Sequence, residues 1–209
     1  MTERAHIPGQ GSPHRLEALS DGVFAIVMTL IVLEVRVPEA ALDDLPGALV
    51  KMAPTLLPYA LTFVTLGMLW FGNRTQSEQI RAADHPLVWL NLLFLGLVAL
   101  IPFSGALVSR YPTDRTAVVI YGIHLIAASL AHGVAWVYAT FRPALIRPEI
   151  SQRYLHYSRY ATFAPALGYA LATAIGAVVP SIALVAYLVV PVPFVTGLFY
   201  RVLGRIDRR

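Results

Sequence analysis

The chain has 209 residues, of which 57% are hydrophobic and only 13% charged, and its formal net charge is +4. Soluble domains carry about 25% charged residues, so this composition excludes a soluble globular protein and indicates a single membrane domain. Cysteine is absent, which excludes disulfides and thiolate metal sites.

Six apolar runs follow one another along the chain, and each is long enough to cross a bilayer as a helix. The first carries Ser20 and Asp21 near its start and Glu34 near its end. The last two are separated only by a short turn at Pro180, which predicts an antiparallel hairpin. Pro191 is expected to kink or break the sixth run, because proline cannot donate a backbone hydrogen bond. The predicted spans cover residues 16–37, 54–71, 86–108, 116–140, 157–179 and 181–202.

The distribution of Lys and Arg between alternate loops predicts the orientation. With the N-terminus in the cytoplasm, twelve basic residues fall inside and four fall outside, namely Arg36, Lys51, Arg110 and Arg115. We interpret the positive charge as this topology signal and expect no nucleic-acid partner. The sequence therefore predicts an all-α, multi-pass membrane protein with six transmembrane helices and both termini cytoplasmic.

No enzyme motif is present. The sequence has no His-Glu-x-x-His, no Gly-rich phosphate loop and no Gly-x-Ser-x-Gly, so we expect neither enzyme activity nor a cofactor. His124 and His132 both fall in the fourth run. We expect them to make hydrogen bonds between packed helices rather than to bind a metal.

The first run carries a stripe of aliphatic side chains. On a helix that turns about 100° per residue, Ile26, Leu30 and Leu33 lie close to one line. The same stripe includes Arg15, Gly22 and Val37, with Thr29 at its edge. By spacing alone such a stripe is typical of a lipid-facing or packing surface, because Leu and Ile are the default residues of membrane helices.

Asp21 is the unusual residue of this run. An ionisable side chain inside a span costs at least about 2.5 kcal/mol and marks a functional site by default. Asp21 and Ser20 point away from the aliphatic stripe, which favours a polar network that ties the first helix to its own bundle. The candidate partners are Arg15, Trp70, Arg74 and Asn91.

The segment from Arg15 to Glu34 resembles the first-helix signature of the lysosomal-type potassium channel family, in its bacterial branch. That signature reads Arg-x-x-x-Phe-Ser-Asp-Gly-x-x-Ala-Ile, followed by Thr and a Leu-rich stretch. Residues 70–74, 87–95 and 101–103 are similar to a second block of the family. Leu19 replaces the family's Phe, and Asn73 and Arg74 stand where the family often has two histidines, which puts in doubt any proton-sensing role borrowed from that pair.

The resemblance implies a potassium-permeable cation channel, a homotetramer in a prokaryotic inner membrane whose first helices line the pore. Residues 15–205 would form the channel domain, between cytoplasmic tails at 1–14 and 206–209. Its partners would be further copies of the chain, membrane lipid and potassium.

The resemblance also implies roles for the residues that match it. Ile26, Leu30 and Leu33 would form the constriction, Thr29 would add a hydroxyl layer, and potassium would pause near Ile26 and Thr29. The Thr29 hydroxyl would either coordinate a partly dehydrated ion or bond a backbone carbonyl one turn back. The polar network would consist of Arg15, Ser20, Asp21, Trp70 and Asn91.

Two other functions stay open at this point. The first is a secondary, proton-coupled transporter that uses Asp21 as a relay; the position of Asp21 near one end of its span and the absence of an internal repeat weigh against it. The second is a membrane enzyme or an assembly scaffold, and the lack of clustered catalytic groups weighs against an enzyme.

Overall fold

The computed structural model describes residues 13–35, 37–38, 44–52, 56–199 and 201, and this part of the chain is all-helical. A 3-10 turn, Ile31–Glu34, continues the first helix, and Ile80 and Ile146 form an isolated β-bridge. The predicted tails fall almost entirely outside the described residues. The helices are α1 Pro13–Leu30, α2 Leu45–Met52, α3 Leu56–Ser77, α4 His85–Arg110, α5 Arg115–Thr140, α6 Gln152–Ala161, α7 Ala164–Val178, α8 Pro180–Val189 and α9 Val192–Val195.

Five stretches of the described chain are long and apolar enough to span a membrane, and α6 and α7 together make up the fifth. The predicted multi-pass, all-α architecture is therefore confirmed, with five or six apolar helices. The sixth run is shorter than the predicted span, since the apolar helical stretch there covers Pro180–Val195. The break before Pro191 has the expected cause: α8 ends at Val189, and α9 begins only after the proline. The short helix α2 was not predicted, because eight residues are too few to show a helical period.

Side-chain caps define where three helices begin. A helix leaves its first N–H groups without partners inside the helix, and an acceptor just before it satisfies them. Asp84 accepts from the Leu87 amide at the start of α4, at 3.0 Å. In the same way Asp114 caps α5 and Ser151 caps α6. Asp84 ends the connection between α3 and α4, and Ser151 ends the connection between α5 and α6. These two connections lie beside each other at one end of the bundle.

The helices pack in a chain of neighbours: α4 against α5, α5 against α7, and α7 against α8. Only Val179 separates α7 from α8, so the predicted antiparallel hairpin is confirmed. The core between these helices includes Val98, Leu125, Tyr169 and Tyr187, all fully buried. The first helix α1 packs on α3 and α4 and makes far fewer contacts elsewhere, which leaves one of its sides uncovered.

Candidate functional site

One side of α1 is anchored in the bundle. Phe24 and Val27, with Ile31 of the following turn, are buried at spacings of three and four residues, the period of one helix face. The ring of Phe24 lies 6.0 Å from that of Phe94 on α4, centroid to centroid. These contacts set the rotation of α1 about its own axis, and with it the direction of every other side chain on the helix.

The aliphatic stripe lies on the opposite, uncovered side of α1. The exposed fractions of Ile26, Leu30 and Leu33 are 60%, 46% and 73%. Leu33 belongs to the 3-10 turn rather than to α1. In a 3-10 turn side chains three residues apart are eclipsed, so Leu33 stands directly beyond Leu30. The structure thus keeps all three predicted constriction residues on one side of the first helix.

A second exposed line of α1 consists of small side chains and runs beside the aliphatic stripe. Its members are Ala18, Gly22, Ala25 and Thr29. A Cβ atom added to Gly22 would meet nothing within 4 Å, so packing inside this chain does not require a glycine there. Thr29 donates its hydroxyl proton to the carbonyl oxygen of Ile26 at 2.8 Å. Sequence reasoning missed this line, although the spacing of small residues by three and four was available to find it.

The predicted polar network divides into two separate pairs. Inside the bundle, the Asn91 amide nitrogen donates to the Ser20 hydroxyl at 3.1 Å, and that hydroxyl donates to the Leu16 carbonyl at 2.9 Å. At the edge of the bundle, the Trp70 indole nitrogen donates to the Asp21 carboxylate at 2.9 Å. The first pair joins α1 to α4 and the second joins α1 to α3, so adjacent residues of α1 hold two different helices.

Arg15 lies apart from both pairs. Its side chain is exposed, and within the described chain it forms no ion pair with Asp21 or Glu17. Glu17 instead lies 3.7 Å from an imidazole nitrogen of His14. Arg74 pairs with Glu78 at 3.1 Å and stands over the Trp70 ring, 5.8 Å from its centroid. Among the described residues, therefore, no carboxylate neutralises the guanidinium of Arg15 at the end of the uncovered side of α1.

The two histidines of α5 have different surroundings. Nε2 of His124 lies 2.9 Å from the Leu97 carbonyl, and Nδ1 lies 2.8 Å from the Ser104 hydroxyl. His124 therefore makes the expected hydrogen bonds between packed helices. His132 is buried with its ring 5.0 Å from that of Phe94, and its Nε2 has no hydrogen-bond partner among the described residues. No group of three His, Asp or Glu side chains able to hold a metal occurs in the described ranges.

Comparison with known proteins gives consistent matches. A family model described as "Endosomal/lysosomal potassium channel TMEM175" matches residues 15–102. A potassium channel of Streptomyces collinus is 30% identical over 181 residues, which cover 83% of this chain and 86% of the relative. A potassium channel of Chamaesiphon minutus is 31% identical over 145 residues, with 66% and 71% covered. The bovine endosomal/lysosomal proton channel TMEM175 is 38% identical over 102 residues, which cover 44% of this chain and 21% of that longer protein.

The fold agrees with a solved structure. The crystal structure of a lysosomal potassium-selective channel TMEM175 homologue from Chamaesiphon minutus superposes with a TM-score of 0.76 at 26% identity. The superposition covers 88% of this chain and 96% of that one. The similarity therefore extends beyond the first-helix signature to the arrangement of nearly the whole bundle.

Proposed function

The chain belongs to the TMEM175 family of potassium channels, and we propose that α1 lines its ion pathway in a homotetramer. The resemblance carried by the first-helix signature is thereby confirmed, and the protein is a potassium channel of this family. The proposal concerns where the pathway lies, what narrows it and how the first helix is held.

The observation that carries the proposal is the division of α1 into two sides. Phe24 and Val27 are buried in the bundle, whereas Ile26 and Leu30 on the other side are uncovered. A lipid-facing helix also exposes aliphatic side chains. Lipid, however, gives no reason for an exposed line of small residues or for Asp21 and Arg15 on the same helix, since polar groups are costly in hydrocarbon.

The line of small residues supports assembly through α1. Small side chains let membrane helices approach closely, and interfaces between such helices are enriched in them. Gly22 has open space around it within one chain, and it lies between Ala18 and Ala25 on the exposed line of small residues, which a helix of another subunit can approach closely. If Ala18, Gly22 and Ala25 face the next subunit, the adjacent stripe of Ile26, Leu30 and Leu33 faces the symmetry axis.

Four copies of this stripe would form aliphatic rings around the axis. Such a ring offers an ion no groups to replace its hydration shell; when narrow it empties of water and blocks, and when wider it passes an ion that keeps much of its water. Selectivity would then rest on width and on the ease of partial dehydration, which favours potassium over sodium.

Thr29 fits a layer of hydroxyl groups beside the rings. Because its proton is donated to the Ile26 carbonyl, the oxygen keeps its lone pairs for a passing cation. The two roles predicted for this hydroxyl are therefore compatible. In this proposal potassium is a permeant ion that pauses near Ile26 and Thr29, and the channel needs no bound cofactor.

The polar pairs would position the constriction rather than contact the ion. Asp21 is held by Trp70, and Ser20 by Asn91. Both bonds lie at the same end of α1, so they fix its distance from α3 and α4. A transporter relay at Asp21 is less well supported. Among the described residues the carboxylate is hydrogen-bonded to the Trp70 indole, and an indole N–H donates a hydrogen bond but cannot accept a proton.

The distribution of basic residues supports the proposed orientation. The connections between α3 and α4 and between α5 and α6 carry most of the loop arginines, among them Arg81, Arg142 and Arg147. By the positive-inside rule these connections and both termini are cytoplasmic. The proposed location is accordingly the inner membrane of a prokaryotic cell.

Cysteine substitution tests the proposal, because the natural chain contains no cysteine. Ile26→Cys, Leu30→Cys and Leu33→Cys are each reconstituted and exposed to a water-soluble thiol reagent while potassium flux is recorded. We expect the reagent to stop flux through these variants and to leave the parent unaffected. Ile123→Cys on α5, an isoleucine with 57% exposure, is the matched control. Block of the control, or indifference of all three α1 variants, would move the pathway away from α1.

A further inference from the structure

A cleft at the arginine-rich end of the bundle lies apart from α1. It has a volume of about 370 Å³ and is bounded by the connection between α5 and α6, by the start of α6 and by Arg81. Its polar lining consists of Arg81, Arg147, Thr140 and Gln152, and the rest of its wall is apolar. No carboxylate lines it. The cleft thus combines two positive charges with an uncharged wall.

Backbone pairing fixes the two arginines relative to each other. The Arg81 amide donates to the Leu145 carbonyl at 2.8 Å, and the Arg147 amide donates to the Gln79 carbonyl at 3.0 Å. These bonds flank the antiparallel bridge between Ile80 and Ile146. Residues diagonal across such a bridge lie roughly 7–8 Å apart. At this separation the two long arginine side chains can contact one small anion from opposite sides.

The side chains keep free donors for such an anion. Arg81 uses its Nε to donate to the Ala144 carbonyl at 3.0 Å, which leaves both terminal nitrogens without a partner in the described structure. The Arg147 side chain makes no hydrogen bond or ion pair to the described residues. The nearby carboxylate of Asp84 is already engaged, since it accepts from the hydroxyl of Tyr138 at 2.8 Å and lies 3.8 Å from Arg142.

Further positive charge lies behind the wall of the cleft. Arg159 donates to the hydroxyl and to the carbonyl of Thr140, at 3.0 and 2.8 Å. Gln152 is the first residue of α6, whose first turn has no acidic residue, so the helix dipole adds positive potential there. A planar guanidinium matches the oxygens of a phosphate in a bidentate manner.

Exposed aromatic residues near the cleft indicate its depth in the membrane. Phe141, Tyr157 and Tyr160 are exposed at the same end of the bundle, and exposed aromatic residues mark the headgroup region of a bilayer. Basic pockets at the ends of membrane helices on the cytoplasmic side are suited to anionic headgroups. The apolar part of the wall, which includes Ile150 and Leu155, suits the carbon backbone of such a ligand.

We propose that this cleft, with Arg81 and Arg147 as its two cationic contacts, is a binding site for the phosphate group of an anionic ligand at the membrane surface. The site is independent of the pathway along α1. An occupant there would link the connection after α3 to the start of α6.

Native mass spectrometry of the full-length protein in detergent tests the proposal, with equimolar phosphatidylglycerol and phosphatidylcholine as probes. We expect the parent to retain phosphatidylglycerol preferentially and Arg147→Gln to bind it about tenfold more weakly, a factor equal to about 1.4 kcal/mol. The double variant Arg81→Gln/Arg147→Gln is expected to lose the preference. Because the Arg147 side chain has no described partner, the single variant tests the site even if the double variant does not fold.

Arg153→Gln is the control, since Arg153 follows Gln152 on α6 but does not line the cleft; its lipid retention should equal that of the parent. A competition arm with glycerol 3-phosphate separates the two sources of phosphate. Displacement of the lipid supports a site that also takes soluble phosphate esters, and lack of displacement supports a lipid site. Equal phosphatidylglycerol retention by the parent, Arg147→Gln and the double variant would overturn the proposal.

Discussion

The indole nitrogen of Trp70 on α3 donates a 2.9 Å hydrogen bond to the carboxylate of Asp21 on α1. This bond joins the most unusual residue of the first helix to the span next to it. It gives Asp21 a partner near the end of the span, where a charge is less costly than at the centre of the membrane. Asp21 is in this account a residue that positions α1.

The first prediction concerns this pair. Asp21→Ala and Trp70→Phe should each lower the stability of the assembled protein, by about 1 kcal/mol for the lost bond, and the double variant should cost little more than either one. Thermal unfolding in detergent measures these differences. Well-assembled Asp21→Ala protein with unchanged stability and altered ion selectivity would instead place Asp21 in the ion pathway.

A second prediction concerns the pair inside the bundle. Ser20→Ala removes the acceptor of the Asn91 amide, and both side chains are buried. A buried donor without a partner costs about 1–3 kcal/mol, so Ser20→Ala should destabilise the protein although it removes only one oxygen. Ala99→Ser, at an exposed position on α4, is the control, and its unfolding temperature should match that of the parent. Equal stability of Ser20→Ala and the parent would show that the amide finds another acceptor.

The exposed line of small residues leads to a third prediction, about assembly. Gly22→Leu meets nothing within one chain, so each subunit should fold normally but fail to pack against its neighbours. Gly96 on α4 is also exposed with open space around it, which makes Gly96→Leu the matched control. Native mass spectrometry should show mainly monomers for Gly22→Leu and the parental oligomer for Gly96→Leu. Parental assembly of both variants would exclude close contact between subunits at Gly22.

A fourth prediction tests how tightly α5 packs on the α7–α8 hairpin. A Cβ at Gly122 would collide with the hydroxyl groups of Thr173 and Tyr187, and overpacking of a core typically costs 1–3 kcal/mol. Gly122→Ala should therefore lower the unfolding temperature. Gly96→Ala has space and gains helix propensity, so it should raise that temperature or leave it unchanged. A lower unfolding temperature for Gly96→Ala than for Gly122→Ala would contradict the close packing of α5 on the hairpin.

Much of this fold follows from hydropathy, because a run of about 20 apolar residues has few alternatives to a membrane helix. Local geometry limits the prediction elsewhere. The sixth run has enough apolar residues for one membrane span, but Pro191 divides it into α8 and α9. The fifth run is interrupted between Ala161 and Ala164. Pro165, in the first turn of α7, marks this break, because it has no N–H to donate to the carbonyl of Ala161 four residues earlier.

The hydrogen-bond partner of Asp21 shows a second limit of prediction from the sequence. Spacing along α1 indicates which side chains share a direction, but not which neighbouring helix that direction meets. That choice depends on the rotation of α1, which the contact of Phe24 with Phe94 helps to set. Four partners were therefore plausible from the sequence, and the structure selects Trp70.

The most direct test of the account is potassium and sodium flux through the purified parent and Ile26→Ala in liposomes, with Ile123→Ala as the lipid-facing control. Widening an aliphatic ring at Ile26 should raise flux and lower the preference for potassium, because ions pass with more of their water, and Ile123→Ala should behave as the parent. Parental flux and selectivity in a correctly inserted Ile26→Ala oligomer would contradict a constriction at Ile26 on the first helix.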